Sequence, residues 1–224
     1  MFKVNLVSIT KPLVIGASGR ELTPEQLIVY IARVSNPNNQ LNLDTGPKLI
    51  KFMVDEGHVS PFEQVDFTVE ITTSRAIAQQ LLRHWSFSFQ EFSQRYAEAQ
   101  NHIVYPARRQ DKKNRQNSMD DMTLEDREWF DAAQMQVWEA SHILYKEALT
   151  KGIAREQARF LLPLSTQTTL YMKGNVRDWI FYLKLRSANG TQKEHADIAN
   201  KIRREVFVPN FPVISEALGW SNKE

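Results

Sequence analysis

Apolar and polar positions alternate in FKVNLVSI at the start of the chain, the two-residue period of a strand, and the period lengthens to that of a helix in TPEQLIVYIARVSN. Thr23 stands there as a cap, Pro24 at the first helical position, and Gln26 where it completes a capping box. Helical spacing returns over residues 47–56, PKLIKFMVDE, and stops at Gly57. HVSPFEQ reads as a turn into QVDFTVEIT, whose Val65, Phe67, Val69 and Ile71 share one face of a strand. Ser74 is placed to cap a helix over AIAQQLLRH, which sets Gln80 and Arg83 three residues apart on neighbouring positions of one face.

The pattern then loses its apolar period. Residues 101–122, rich in charge and amide (ARRQDKKNRQNSMDD), predict a long mobile loop, the natural place for a lid or insertion. TLEDREWFDAAQMQVWEASHILYKEALTKG predicts the longest helix, ended near Gly152, and IAREQARFLLP a short one closed by Pro163. STQTTLYMK is rich in β-formers. NVRDWIFYLKLRSANG predicts a helix capped by Asn175 and ended around Asn189 and Gly190, and TQKEHADIANKIRREVF a last helix before Pro209 and Pro212. Strands and helices do not alternate in βαβ fashion and no repeat is present, so residues 1–224 are expected to form a single helix-rich domain, α/β in content and of the α+β type.

Composition sharpens this picture in three ways. A hydrophobic share of 42%, with 10% aromatics, supports a sizeable core. The formal net charge of +2 gives no global field for nucleic acid or membrane surfaces, so any anion site must be local. The absence of cysteine excludes disulfides, thiolate metal sites and a thiol nucleophile. MFKVNLVSITKPLVIG shows no apolar leader with a cleavage site and no apolar run reaches a membrane span, so a soluble, cytoplasmic protein without a membrane partner is expected. Neither GxGxxG nor GxxxxGK occurs.

RHWSFSFQEFSQRY, Arg83 to Tyr96, is the densest cluster of candidate chemistry. Were it helical, Trp85, Phe89, Phe92 and Tyr96 would form a core-like aromatic stripe, with Arg83, His84, Glu91, Ser93 and Arg95 crowded around it. Desolvated arginines require anionic or carbonyl partners, and one glutamate cannot satisfy two arginines and a histidine. An anion or nucleotide site and a structural ion-pair network both fit. His58 in GHVSPFE reads either as a hydrogen-bonded turn residue or as a functional one. His102 and His142 lack metal-ligand spacing, and Glu194 and His195 are adjacent and so point to different sides; no metal is expected. Arg159, Arg177 and Arg186 sit in apolar company, the last two about two and a half helical turns apart and on roughly opposite sides, as snorkelling cations or as recognition residues.

In RHWSFSFQEFSQR, the order Arg83, His84, then Ser93 and Arg95 at the required spacing resembles the signature of the flavin-dependent thymidylate synthases, Arg-His-Arg, seven residues, Ser-x-Arg. GHVSPFE, QARFLLP, GNVRDW and FYLKLRSANGTQKEH are similar to that family's segments in the same order. The resemblance implies a helix-rich fold around a small, mainly antiparallel sheet, and a homotetramer with active sites between subunits. It implies FAD as cofactor, NADPH as reductant, 5,10-methylenetetrahydrofolate as one-carbon donor, and methylation of dUMP to dTMP without nucleic acid as a partner. The missing thiol agrees, since reduced flavin takes the place of a cysteine nucleophile in that family.

By the same resemblance Gln80, Arg83, Glu91, Ser93, Gln94, Arg95, Arg159 and Arg186 surround dUMP, with Ser93 and Arg95 suited to its phosphate. Arg186 is the implied catalytic residue, polarising the uracil, with His58 near flavin and folate. Ser60, Arg83, His84, Trp85, Glu91, Asn175, Arg177 and the position of Phe181 are implied to hold FAD. Two positions depart from the pattern. Trp85 replaces the third signature residue, an arginine, with an indole that stacks but cannot neutralise an anion. Phe181 stands where the family often has a histidine or asparagine. A homologue that binds nucleotide or FAD without turnover is therefore one alternative; a module for single-stranded nucleic acid is another, weakened by the near-zero net charge.

Overall fold

Alternation in QVDFTVEIT produces the strand on which the rest is assembled. In the computed structural model, which describes residues 2–220, β2 (Asp66–Ser74) buries Phe67, Val69 and Ile71 on one face, as the period requires. β6 (Gln167–Asn175) pairs antiparallel along its whole length, from Asp66↔Asn175 to Ser74↔Gln167. β1 (Lys3–Ile9) lies antiparallel on the other side of β2, with a register irregularity between Leu6 and Ser8. β3 (Ser88–Glu91) completes the sheet beyond β6, in the order β1-β2-β6-β3. The expected small antiparallel sheet is thus observed.

Both long strands hand over directly to a helix by the same device. Ser74 Oγ accepts from the Ile77 N–H to start α3 (Arg75–Leu81), and Asn175 Oδ1 accepts from the Asp178 N–H to start α6 (Val176–Arg186). α6 lays Trp179 flat on Phe67, ring centroids 4.6 Å apart, and the indole N–H donates to the Phe67 carbonyl. Each large side chain buried in this way contributes roughly 1.5–3 kcal/mol.

Helices cover the apolar face. α1 (Pro24–Ala32) carries the capping box from Thr23 and Gln26, and α2 (Gly46–Asp55) ends before Gly57, whose φ of 69° only glycine adopts without strain. HVSPFEQ contains a 3₁₀ turn, Ser60–Gln64, rather than an open bend. α4 (Leu124–Thr150) is the longest element, capped by Thr123, and α5 (Arg155–Ala158) is a single turn that continues as 3₁₀ over Arg159–Leu161. α7 (Lys193–Ile202) does not stop before the prolines. It passes through a π-helical turn, Arg203–Phe207, into α8 (Val208–Asn210), and α9 (Pro212–Ala217) follows.

One expectation is corrected. RHWSFSFQEFSQRY is not helical: α3 ends at Leu81, a turn follows, and SFQE joins the sheet as β3. Gln80 and Arg83 therefore do not share a helix face, and the aromatic stripe does not form. Trp85 is 93% exposed and Tyr96 is exposed, while Phe87 is buried against β6. The reason is steric and periodic. SFSFQEF alternates, and Gly174 on β6 leaves room for the Phe87 ring, which would lie 2.5 Å from a Cβ there. The polar stretch carries local order of its own. Within residues 101–122 a short antiparallel hairpin forms, β4 (Arg109–Gln110) with β5 (Ser118–Met119), tied by an Arg109–Asp121 ion pair and by Asp111 Oδ1 accepting from the Lys113 and Asn114 N–H groups.

Candidate active site

The residues singled out in the sequence gather in three groups. The first lies where the C-terminus of α6 meets the turn after α3. Arg186, the last residue of α6, donates from Nε to His84 Nε2 at 2.9 Å. His84 Nε2 is therefore unprotonated, the ring is neutral with its proton on Nδ1, and the terminal nitrogens of Arg186 are left for a ligand. Burial, then the Arg186 and Arg83 charges, push the His84 pKa down to about 4. Gln80 and Arg186 line a common groove of about 860 Å³, whose far wall is the hairpin segment around Arg108 and Arg115.

Behind this group stand two residues whose part the sequence reading did not identify. His195 of α7 is fully buried, with Nε2 3.1 Å from the Tyr182 hydroxyl and Nδ1 3.3 Å from Gln80 Oε1. Its pKa is pushed down to about 3 by burial, then by Arg186 and His84. Burial raises that of Tyr182. A signal was present: His195, Ile198, Ala199 and Ile202 recur at helical spacing on the buried face of α7, so His195 falls on the core side.

The second group lies around the other end of α3, about 10 Å of helix away. Arg75 and Glu91 form an ion pair at 2.8 Å, and the same Glu91 oxygen accepts from the Thr168 hydroxyl at 2.9 Å. The open question about unpaired cations in RHWSFSFQEFSQRY is thereby answered in part, because Glu91 serves an arginine outside that stretch. Arg95 pairs with Glu156 at 3.2 Å, and Arg159 Nε donates to the Glu156 carbonyl. Arg75, Gln94 and Arg159 line a cavity of about 280 Å³, separate from the groove of Gln80 and Arg186. Ser93 Oγ accepts from the Arg95 N–H.

The third group surrounds the start of α6. Arg177 pairs with Glu63 of the 3₁₀ turn and lies over the Phe181 ring, 5.7 Å from its centroid. Arg177 Nε is buried without a partner, while Phe181 is 52% exposed. An orphaned donor beside an open aromatic face suits a planar, phosphate-bearing group. Asn175 spends its side-chain oxygen on the helix cap and keeps its amide N–H groups. His58 is exposed, edge-on to Phe52, two residues before Ser60. Trp85 belongs to none of the three groups by contact. Among the described residues there is no cluster of three or more His, Asp or Glu able to hold a metal, and no helix long and apolar enough to cross a membrane.

Comparison with known proteins bears on this geometry. The profile of the family described as thymidylate synthase complementing protein matches residues 20–212. The chain is 55% identical to a flavin-dependent thymidylate synthase of Synechocystis sp., covering 97% of this chain and 99% of that protein. It is 51% identical to a probable flavin-dependent thymidylate synthase of Paramecium bursaria Chlorella virus 1, covering 96% and 98%. Among solved structures it resembles the UMP/dUMP methylase PolB of Streptomyces cacaoi bound with 5-Br dUMP, with TM-score 0.83, 25% identity and coverage of 99% and 96%.

Proposed function

This chain belongs to the family of flavin-dependent thymidylate synthases, and from that premise we propose that it converts dUMP to dTMP with FAD, NADPH and 5,10-methylenetetrahydrofolate. The observation that carries the reading is the Arg186–His84 pair opening onto the groove it shares with Gln80. A guanidinium held through Nε by a neutral imidazole keeps a fixed direction. Its Nη groups then stabilise the charge that develops on the uracil carbonyls, without reorganisation during the reaction.

Arg83, with Gln80 and Arg186, forms the pyrimidine side of the dUMP site. Glu91, Ser93, Gln94, Arg95 and Arg159 form the phosphate side, where the Arg95 fork and the Ser93 hydroxyl bind the dianion and Arg159 adds a further contact to the nucleotide. In one chain these sides open onto different cavities, which supports an active site completed by a second copy. The long helix α4 supports assembly too: Leu124, Trp129, Val137, Ile143 and Leu144 are exposed along it, more apolar surface than a solvated helix carries, and a homotetramer would cover it. Residues 1–224 act as one domain, with the hairpin segment as a mobile lid over the groove.

His58, Ser60, Asn175, Arg177 and Phe181 would hold FAD, with His84 and Trp85 reaching it from the signature turn. When bound and reduced, the flavin supplies the two-electron chemistry that a chain without cysteine cannot replace by thiolate attack. His58, exposed beside Phe52, would lie near the folate. One observation favours a second reading: Trp85, 93% exposed where the family signature has a cation, would make this a homologue that binds without turnover.

The test is anaerobic dTMP formation from dUMP with all three co-reactants. Arg186→Ala should lower the rate by at least about a hundredfold, the size of losing an aligned donor to developing charge. No dTMP from folded, flavin-loaded protein would refute the reading. Trp85→Arg discriminates the second: a large gain supports impaired turnover in this chain, and equal rates remove it.

A further inference from the structure

A chain of hydrogen bonds behind the groove has its polarity fixed from one end. Gln192 Nε2 lies 2.8 Å from Glu194 Oε2, and a carboxylate only accepts, so Gln192 must turn its NH₂ to Glu194 and its oxygen to Gln80. Gln80 must then donate from Nε2 to that oxygen, which leaves Gln80 Oε1 facing His195 Nδ1. His195 must in turn carry its proton on Nδ1, and its Nε2 accepts from the Tyr182 hydroxyl. Every step follows from the one before it, and no step allows the Gln80 amide to be reversed without leaving two donors or two acceptors face to face.

Gln80 lines the groove with Gln192 and Arg186, and His195 is completely buried behind it. We propose that His195 is a positioning residue, whose Nδ1–H pins the Gln80 carbonyl so that the amide presents its N–H edge to the substrate. The groove then selects a pyrimidine bearing an oxygen, rather than an amino group, at the position facing Gln80. Uracil offers an acceptor at that ring position and cytosine a donor, the distinction a fixed N–H reads. A site that buries a committed donor rejects the ring whose donor would face it, because both groups would lose their partners. With its pKa depressed by burial, His195 is neutral, so Nδ1–H serves Gln80 while Nε2 accepts from the Tyr182 hydroxyl.

This inference rests on the dUMP reading above. It is tested by calorimetric titration of the flavin-loaded protein with dUMP and with dCMP. The wild type should bind dUMP and discriminate against dCMP. His195→Leu should weaken dUMP binding about tenfold, the worth of one hydrogen bond, and narrow the dUMP to dCMP ratio. His195→Asn, whose amide N–H stands near the place of Nδ1–H, should restore both. In a Gln80→Ala background His195→Leu should add less than about twofold. Gln192→Leu, at an exposed position and so safe for folding, should narrow the ratio as well. Selective ¹⁵N labelling should show the Nδ1–H tautomer of a neutral His195. Wild-type affinity and ratio in folded His195→Leu, or the opposite tautomer, would overturn the positioning role alone. A folded wild type that ignores dUMP would overturn the substrate reading beneath it.

Discussion

Single residues here act through who holds whom. Arg186 can donate to His84 because His84 is neutral, and His84 is neutral because burial and two guanidinium groups disfavour its charged form. That arrangement has a pH signature. Both His84 and His195 titrate lower in the folded chain than the ordinary histidine value, so on acidification the unfolded chain takes up protons that the folded one refuses. Their contribution to stability is whole above about pH 6.5 and is lost as pH falls toward 4 and then 3, each adding up to about 1.4 kcal/mol per pH unit to the slope. Chemical denaturation from pH 7.5 to 4.5 should show this decline. His195→Asn should flatten it, and an equal slope in that variant would show that His195 is not among the groups responsible. These partnerships were not legible in the sequence, where His84 lies about a hundred residues from Arg186 and His195 and shares no period with them. The exception is the buried side of α7, which the spacing of His195, Ile198, Ala199 and Ile202 writes openly.

At the scale of elements, caps and glycines decide where side chains point. Asn175 ends β6 and starts α6, so Asn175→Ala should cost about 1 kcal/mol in urea melts and loosen the Arg177 end of the helix. Gly174 is stricter. Alanine there places a methyl 2.5 Å from the Phe87 ring, so Gly174→Ala should cost roughly 1–3 kcal/mol and displace the Arg83–Phe87 turn. Flavin-loaded variant protein should then lose dUMP affinity, and unaltered affinity would show that the turn tolerates the shift. The helix starts at Thr23, Ser74 and Asn175 were readable because each cap is a local bargain between one side chain and the N–H group three residues on. RHWSFSFQEFSQRY misled because its aromatics satisfy a helical spacing as well as an alternating one. The choice fell to Gly174, more than eighty residues away, whose missing side chain admits Phe87.

For the whole molecule, the two separate cavities lined by Arg186 and by Arg159 carry the proposal that each chain presents two incomplete sides of a site. If Arg186 of one copy and Arg159 of another serve the same dUMP, then Arg186→Ala and Arg159→Ala are each nearly inactive alone. Co-expressed, they should form mixed oligomers in which some sites have both arginines. Recovery of dTMP formation in the mixture supports the shared site, while a mixture as inactive as its parts would place both arginines in one chain's site. The sequence by itself determined the long helices and the two central strands, the absence of a thiol route, and the family whose segments it repeats in order, because those depend on residues close in the chain or on composition. Only the tertiary structure decided that Glu91 answers Arg75, that Arg186 leans on a neutral His84, and that His195 stands behind Gln80. Those are contacts between residues remote in sequence, chosen by which buried polar groups can satisfy one another once the strands have paired and the helices have closed over them.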